Sequence, residues 1–316
     1  MLKYTLGRLA IAAPTFLAVL FITFLLTTLS PFDPVTIMMQ QYEGTLNGAQ
    51  QEEMVQRIRQ QYGLDDSFAI QFTKYLQRLA QGDLGISING QRDVLRTIVT
   101  TFPISFQLGL AGALLTALVG IPLGALAALK QNTWVDYTIV GSSLVFRSLP
   151  VFVLAPLLLV LFVLLLGIMK VPRGWDGLFH NKTILPIVIL MFGPLPVIIR
   201  QTRQAVLEIF SQDYIRTAKM KGLKMWLIIV RHILRNALIP VVTTLGFVIE
   251  GLIVGSIFLD NIFAIPGFGA VVENAYRGFD YPVILGVTMV TAMMIIVTNL
   301  LVDLIYPFLD PRIKLD

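Results

Sequence analysis

Little in this chain of 316 residues is equipped to make or break bonds. Cysteine is absent, which removes disulfides and thiolate chemistry, and the two histidines, His180 and His232, stand far apart, so no metal site is expected. No Gly-x-x-x-x-Gly-Lys-Ser/Thr run occurs, and Gly267 to Gly269 is no substitute, so the chain does not cradle nucleotide phosphates by itself. His-Glu-x-x-His and Gly-x-Ser-x-Gly are missing too, and no nucleophile–base–orienter set is visible, which argues against a membrane hydrolase. Two features remain. One is a pair of charges, Arg147 and Glu250, inside long apolar runs. The other is a basic segment between two such runs, Asp213-Tyr214-Ile215-Arg216-Thr217-Ala218-Lys219-Met220-Lys221-Gly222-Leu223.

Arg147 lies eleven residues beyond Asp136, and Glu250 fourteen beyond Asn236, each on a stretch read as running outward. At about 1.5 Å per residue their depths differ by only about 4–5 Å. An unpaired charge at such depth costs roughly 2.5 kcal/mol or more, so these residues are expected to pair or to face water. The simpler reading is a structural ion pair between the third and fifth spans. The functional reading is a contact with a cavity, Glu250 receiving a substrate ammonium and Arg147 a carboxylate, as a zwitterionic ligand would need.

In the basic segment, Tyr214, Ala218 and Gly222 recur at i, i+4 and i+8 and share a face if the segment is helical. Tyr214 and Ile215 offer an apolar knob, and Ala218 and Gly222 leave room for a close approach. Gly222 also supplies the left-handed residue that ends such a helix. Arg216, Lys219 and Lys221 surround them. On these residues alone, the segment is either a basic interfacial helix lying on anionic lipid or a plug for a cytoplasmic partner.

The elements that carry these residues are membrane spans. Hydrophobic residues make up 56% of the chain and charged ones 14%, with a mean hydropathy of +0.77, far from soluble-domain composition. Six apolar stretches are long enough to cross a bilayer, at roughly 20 residues each. They run over 9–29, 102–129, 137–169 (interrupted at Arg147-Ser148-Leu149-Pro150), 184–199 (loosened by Gly193-Pro194-Leu195-Pro196), 237–258 and 283–306. The first is read as a retained span. Between the first two lies a polar region with two amphipathic helices, one marked by Met54, Val55, Ile58 and Tyr62 and stopped by Gly63. The other is marked by Phe68, Phe72, Tyr75, Leu76 and Leu79. Ile265-Pro266-Gly267-Phe268 fits a type II turn.

Six spans put both termini on one side. Lys3, Arg8, Lys130, the eight Lys/Arg from Arg200 to Arg235, Arg312 and Lys314 all fall on that side, which positive charge marks as cytoplasmic. The net charge of +5 therefore reads as membrane orientation and not as nucleic-acid binding. The organisation expected is a cytoplasmic N-terminus and first span (1–30), an extracytoplasmic helical region (31–98), a five-helix core with its cytoplasmic segment (99–310, the segment being 200–236) and a cytoplasmic tail (311–316).

The run from Asp213 to Gly222, continued by Arg231-His232-Ile233-Leu234-Arg235-Asn236-Ala237-Leu238-Ile239-Pro240-Val241-Val242-Thr243, resembles the coupling segment of ABC-importer permeases. More narrowly it resembles the dipeptide/oligopeptide/nickel-type subunits. Ala218 and Gly222 match the wider pattern, Arg216-Thr217 stand where Glu-Ala is usual, and Pro240 arrives late. Gly82-Asp83-Leu84-Gly85-Ile86-Ser87, Gly255-Ser256, Phe263-Ala264-Ile265-Pro266-Gly267, Asp280-Tyr281-Pro282-Val283, Asn299-Leu300-Leu301-Val302-Asp303 and Leu309-Asp310-Pro311-Arg312 are similar to the same family, so the resemblance covers almost the whole chain.

The resemblance implies an all-α polytopic protein of the type I ABC importer permease fold, with a small extracytoplasmic helical cap, in a bacterial or archaeal plasma (inner) membrane. It implies that Asp213, Tyr214, Ile215, Arg216, Thr217, Ala218, Lys219 and Gly222 form the helix that docks on an ATPase. The partners it implies are a second homologous permease, two cytoplasmic ATPase subunits carrying ATP and Mg, and an extracytoplasmic substrate-binding protein. The chain itself is then no enzyme and binds no cofactor. The substrates implied are di- or oligopeptides, with nickel chelates, glutathione or oligosaccharides as alternatives on the same machinery. An ion-coupled secondary transporter is the rival class; it would show inverted repeats and paired broken helices with mid-membrane acids, of which only Glu250 is present.

Overall fold

A 36-residue helix, Val94–Leu129, is the hub of the structure. In the computed structural model, which describes residues 2–31, 35, 39, 47–62, 65–254 and 257–309, every regular element among those residues is helical apart from one isolated bridge, Ile86 to Asp93. The helices are α1 (Leu2–Thr28), α2 (Gly48–Tyr62), α3 (Phe68–Ala80), α4 (Val94–Leu129), α5 (Trp134–Ser148), α6 (Val151–Leu159), α7 (Ile184–Phe192), α8 (Leu195–Phe210), α9 (Asp213–Met220), α10 (Met225–Ile228), α11 (Arg235–Val254), α12 (Ile257–Ile262), α13 (Phe268–Arg277) and α14 (Tyr281–Leu309). The expected stop at Gly63, the pair Gly255-Ser256 and the tail 311–316 lie outside the described residues, and the stop at Ser30–Val35 lies partly outside them.

Among the described residues, four helical stretches are long and apolar enough to cross a membrane singly, at 7–28, 94–129, 225–252 and 281–304. Two further candidates are bent pairs, and each bend has a chemical cause. Pro150 disfavours helical dihedrals at the residue before it, so Leu149 is extended (φ −89°, ψ 115°) and α5 meets α6 at 101°. Pro194 and Pro196 withhold two amide donors from the ladder, and α7 meets α8 at 52°. The third apolar stretch is therefore not a straight rod through Arg147. The helix after the bend in the fourth apolar stretch runs on to Phe210, well past the expected end at 199, so Arg200 and Arg203 continue that helix. Likewise α10 and α11 join through a π-helical stretch, Ile229–Leu234, into one continuous element that begins earlier than the expected 237.

Small residues let the hub's neighbours come close. Gly112, Thr116, Gly120 and Gly124 recur every four residues along α4 and turn one face toward α7 and α8. A Cβ on Gly112 would lie 3.0 Å from Leu190 Cβ, one on Gly120 2.9 Å from Ile198 Cγ2, and one on Gly124 2.6 Å from the backbone oxygen of Ile199. Helices α5, α11, α13 and α14 also pack on α4. By contrast α1 leans on α14, and α3 lies against α1 through an aromatic group in which Phe24 stacks on Tyr75 at 5.3 Å and Phe21 meets Phe72 edge-on at 5.3 Å. At α4's start, Asp93 caps the helix by accepting from the Arg96 amide at 2.6 Å.

Gly124→Ala is expected to destabilise the protein by about 1–3 kcal/mol through overpacking against an α8 backbone that cannot yield. Gly141→Ala, where nothing lies within 4 Å, should be neutral or slightly stabilising. Melting of the two variants in detergent, followed by light scattering, checks the contrast.

Candidate functional site: the short basic helix and its seat

The basic segment is the short helix α9, joined to α8 by Ser211 and Gln212 alone. Gln212 is extended (φ −72°, ψ 147°) and marks the start, and Asp213 complements the positive end of the helix dipole. The far end is a Schellman closure: the Gly222 amide donates to Lys219 O at 3.0 Å and the Leu223 amide to Ala218 O at 3.4 Å. It needs a left-handed residue, and Gly222 supplies it with φ +71°.

Ile215 and Ala218 point inward. They are buried with Ala125 and Ala128 of α4, Ala205 and Val206 of α8, and Ile228, Ile233 and Ala237 from the start of the next span. Tyr214, Ala218 and Gly222 therefore do not form one outward face: Ala218 is small for its own chain's packing, whereas Gly222 has open space where a side chain would be. The outward surface is instead Tyr214, Arg216, Thr217, Lys219 and Met220, the last 80% exposed, continued by Trp226 at 60%. Two contacts seat the helix. The Asn236 side-chain amide donates to Tyr214 Oη at 3.1 Å, and Lys219 Nζ sits 3.7 Å from the centre of the Phe210 ring; within the helix, Thr217 Oγ1 donates to Asp213 O at 3.1 Å. The ion pair of Arg216 with Asp213 at 3.6 Å is fully at the surface and contributes little.

Just behind this helix is a pair that sequence reasoning missed. Arg203 on α8 donates through Nε to Asp136 Oδ1 at 2.7 Å and through Nη2 to Oδ2 at 2.6 Å, a two-pronged contact with the first turn of α5. The Asn132 amide adds a third donor at 3.1 Å. Asp136 is buried and the pair spans 67 residues of sequence, so no local spacing announces it.

The two charges singled out from the sequence do not meet. Arg147 is exposed near the end of α5 and Glu250 is half-buried on α11. Among the described residues no ion pair joins them. The structural pair expected between the third and fifth spans is thus absent there. The reason is packing: α5 and α11 each lie against α4 and α8, which keep the two helices on separate flanks. An open groove of about 420 Å³ does run between α8 and α11, lined by Gln201, Ile239, Pro240, Thr243 and Thr244. Glu250 lies seven residues beyond Thr243, two turns further along the same side of α11.

At the opposite end of the bundle, buried carboxylates again organise loops. Asp280 accepts from Ser87 Oγ at 2.6 Å and from the amides of Ile88 and Asn89 at 3.1 and 3.2 Å, joining the segment before α4 to the start of α14. Asp260 accepts from Ser105 Oγ at 3.3 Å, and Ser105 Oγ accepts from the Phe268 amide at 2.8 Å. This overturns the type II turn expected at Ile265–Phe268. Gly267 has φ −93°, and the left-handed residue is Ala264 at φ +50°. Position 267 needs glycine because a Cβ there would collide with the Asp260 carboxylate and lie 2.6 Å from Ser105 Oγ.

Two family models cover almost all of this architecture. The one described as binding-protein-dependent transport system inner membrane component matches residues 120–315, and its N-terminal companion matches 1–109. The chain belongs to that family. As an inner membrane component it is 37% identical to the dipeptide transport system permease protein DppB of Bacillus subtilis, over 100% of this chain and 99% of that one. It is 36% identical to DppB of Escherichia coli over 99% of each chain, and 36% identical to the oligopeptide transport system permease protein OppB of the same species over 99% of this chain and 100% of that one. In fold it is similar to the MetNI methionine ABC transporter solved in an inward-facing conformation, with a TM-score of 0.58 at 19% identity over 68% of this chain and 97% of that one. The inner membrane component is thus an all-helical, multi-pass membrane protein with the type I importer permease fold.

Gly222→Ala forces a non-glycine residue into the left-handed region at a cost of about 1–2 kcal/mol, while Gly222→Asn tolerates it better. Trypsin acting at Lys221 and Lys224 is expected to cut the alanine variant faster than the asparagine variant or the wild type, read as the rate of loss of the intact chain on a gel.

Proposed function

We propose that this chain is one of two membrane-spanning subunits of an ATP-driven importer of di- and oligopeptides, and that α9 is the helix through which ATPase subunits move it. The observation that carries the reading is a short, firmly capped helix, seated on the α4–α8 core and presenting a basic and apolar outer face. It stands in a chain that aligns end to end with dipeptide and oligopeptide permeases. Asp213, Tyr214, Arg216, Thr217, Lys219 and Gly222 form the docking surface, and Ile215 and Ala218 transmit its position to the bundle.

In this reading both bent pairs are single spans, giving six in all, with the termini and α9 in the cytoplasm and the 31–98 helices outside as a cap. The remaining partners are a homologous second permease, two ATPase subunits that bind ATP and Mg, and an extracytoplasmic binding protein. ATP closes the ATPase pair and draws the coupling helices together, and the two permeases rock open toward the binding protein. Each state is favoured by a different partner, which is the differential affinity such a switch requires. Glu250 and the groove between α8 and α11 face the translocation pathway, with Arg147 near its wall.

Reconstituted with its ATPases and binding protein, the wild-type chain is expected to take up a labelled dipeptide with ATP and to continue when ion gradients are collapsed. Uptake that instead stops with the gradient points to an ion-coupled carrier. Gly222→Trp and Ala218→Trp should abolish uptake while membrane insertion persists; an unchanged uptake rate in both variants rules out docking through α9.

A further inference from the structure

We propose that the Asp136–Arg203 pair is a positioning element that makes α5 turn together with α8, so that a displacement of the coupling helix reaches the far arm of the α5–α6 bend. This inference rests on the coupling reading of α9.

The argument is geometric. α9 follows α8 after two residues, so α8 is the shaft on which the coupling helix is mounted. Helices α4, α5 and α11 flank the cytoplasmic half of α8, and the first two differ in how they are held. On the α4 side contact is close and apolar, with Gly124 against Ile199 and Thr202. On the α5 side the fastening is different in kind: both carboxylate oxygens of Asp136 are held by two separate nitrogens of Arg203, at 2.7 and 2.6 Å. A fork of two parallel hydrogen bonds fixes orientation as well as distance, whereas apolar side chains can slide over one another. The Asp136 side chain is only 4% exposed and Arg203 26%, so water does not compete for the carboxylate.

What α5 then carries is the second half of the inference. Past Leu149 and Pro150 the chain turns by 101° into α6, which packs on α12. In α12 sits Asp260, the buried carboxylate that organises the loop leading to α13. Rotation of α8 thus has a continuous path: through the ion pair to α5, around the bend to α6, and on to α12 at the other end of the bundle. Without the pair, α5 and α6 are coupled to α8 only through α4 and side-chain packing.

The test compares peptide taken up per ATP hydrolysed in the reconstituted assembly. In Asp136→Asn and Arg203→Gln this ratio is expected to fall about tenfold, within the usual range of coupling between sites, while basal ATP hydrolysis stays near wild type. The discriminating variant is the double replacement Asp136→Leu with Arg203→Leu, which removes both buried charges together and so restores the stability lost by breaking the pair from one side. A merely structural pair predicts that this double variant also recovers wild-type coupling; the positioning role predicts recovered thermal stability with the ratio still low. Because the chain contains no cysteine, Asp136→Cys with Arg203→Cys can be bridged by a short thiol-specific cross-linker, and bridging should raise the ratio. Wild-type coupling in the double leucine variant overturns the proposal, and so does failure of every variant to assemble, which would make the pair a folding element only. If the wild-type assembly itself shows no ATP-dependent uptake, the importer reading falls, separately from this one.

Discussion

The approach of α4 to α8 across Gly120 and Gly124 is the constraint on which the other placements depend. In a bilayer there is little hydrophobic gain from packing one apolar helix on another, so close backbone contact has to supply the adhesion. The small residues of α4 permit that contact, and the hub then collects α5, α7, α11, α13 and α14 around it. The cluster that seats α9 is the continuation of the same interface toward the end of α8: Ala125 and Ala128 come from α4, Ala205 and Val206 from α8. The short helix α9 is thus an extension of the close α4–α8 interface and not an appendage on a loop.

Polar chemistry is used sparingly and in one style. Asp136, Asp260 and Asp280 are each buried, and each accepts from a distant part of the chain: Asp136 from Arg203, Asp260 from Ser105 and Asp280 from Ser87. A carboxylate removed from water is costly unless its oxygens are satisfied, so once partnered it pins loops or helices in a narrow range of arrangements. Asp136 does this between α5 and α8 and the other two at the opposite end of the bundle. Together with the two proline-driven bends, they fix where the helices of an otherwise apolar bundle change direction and where distant segments are joined.

Much of the architecture was legible in the sequence because the bilayer and the backbone act locally. Apolar runs of the required length marked the spans, the 3.6-residue period marked α2 and α3, and Gly222 marked the end of α9. Each follows from a residue and its near neighbours. Two local readings failed. The Pro266-Gly267 pair suggested a type II turn, but glycine is required there by the Asp260 carboxylate and not by a positive φ. The fourth apolar stretch was expected to end at 199, but α8 runs on through the basic residues to Phe210.

By itself, then, the sequence determined the membrane class, the number and rough extent of apolar stretches, the location of the short capped helix and the family resemblance. Those depend on hydropathy, period and single-residue backbone preferences, which act over a few residues. Only the tertiary structure decided that Ala218 faces inward, that Arg147 and Glu250 lie on helices kept apart by α4 and α8, and that Asp136 finds Arg203 across 67 residues. Such pairings are set by which helix faces meet after packing, and no property of either residue's own neighbourhood carries that information.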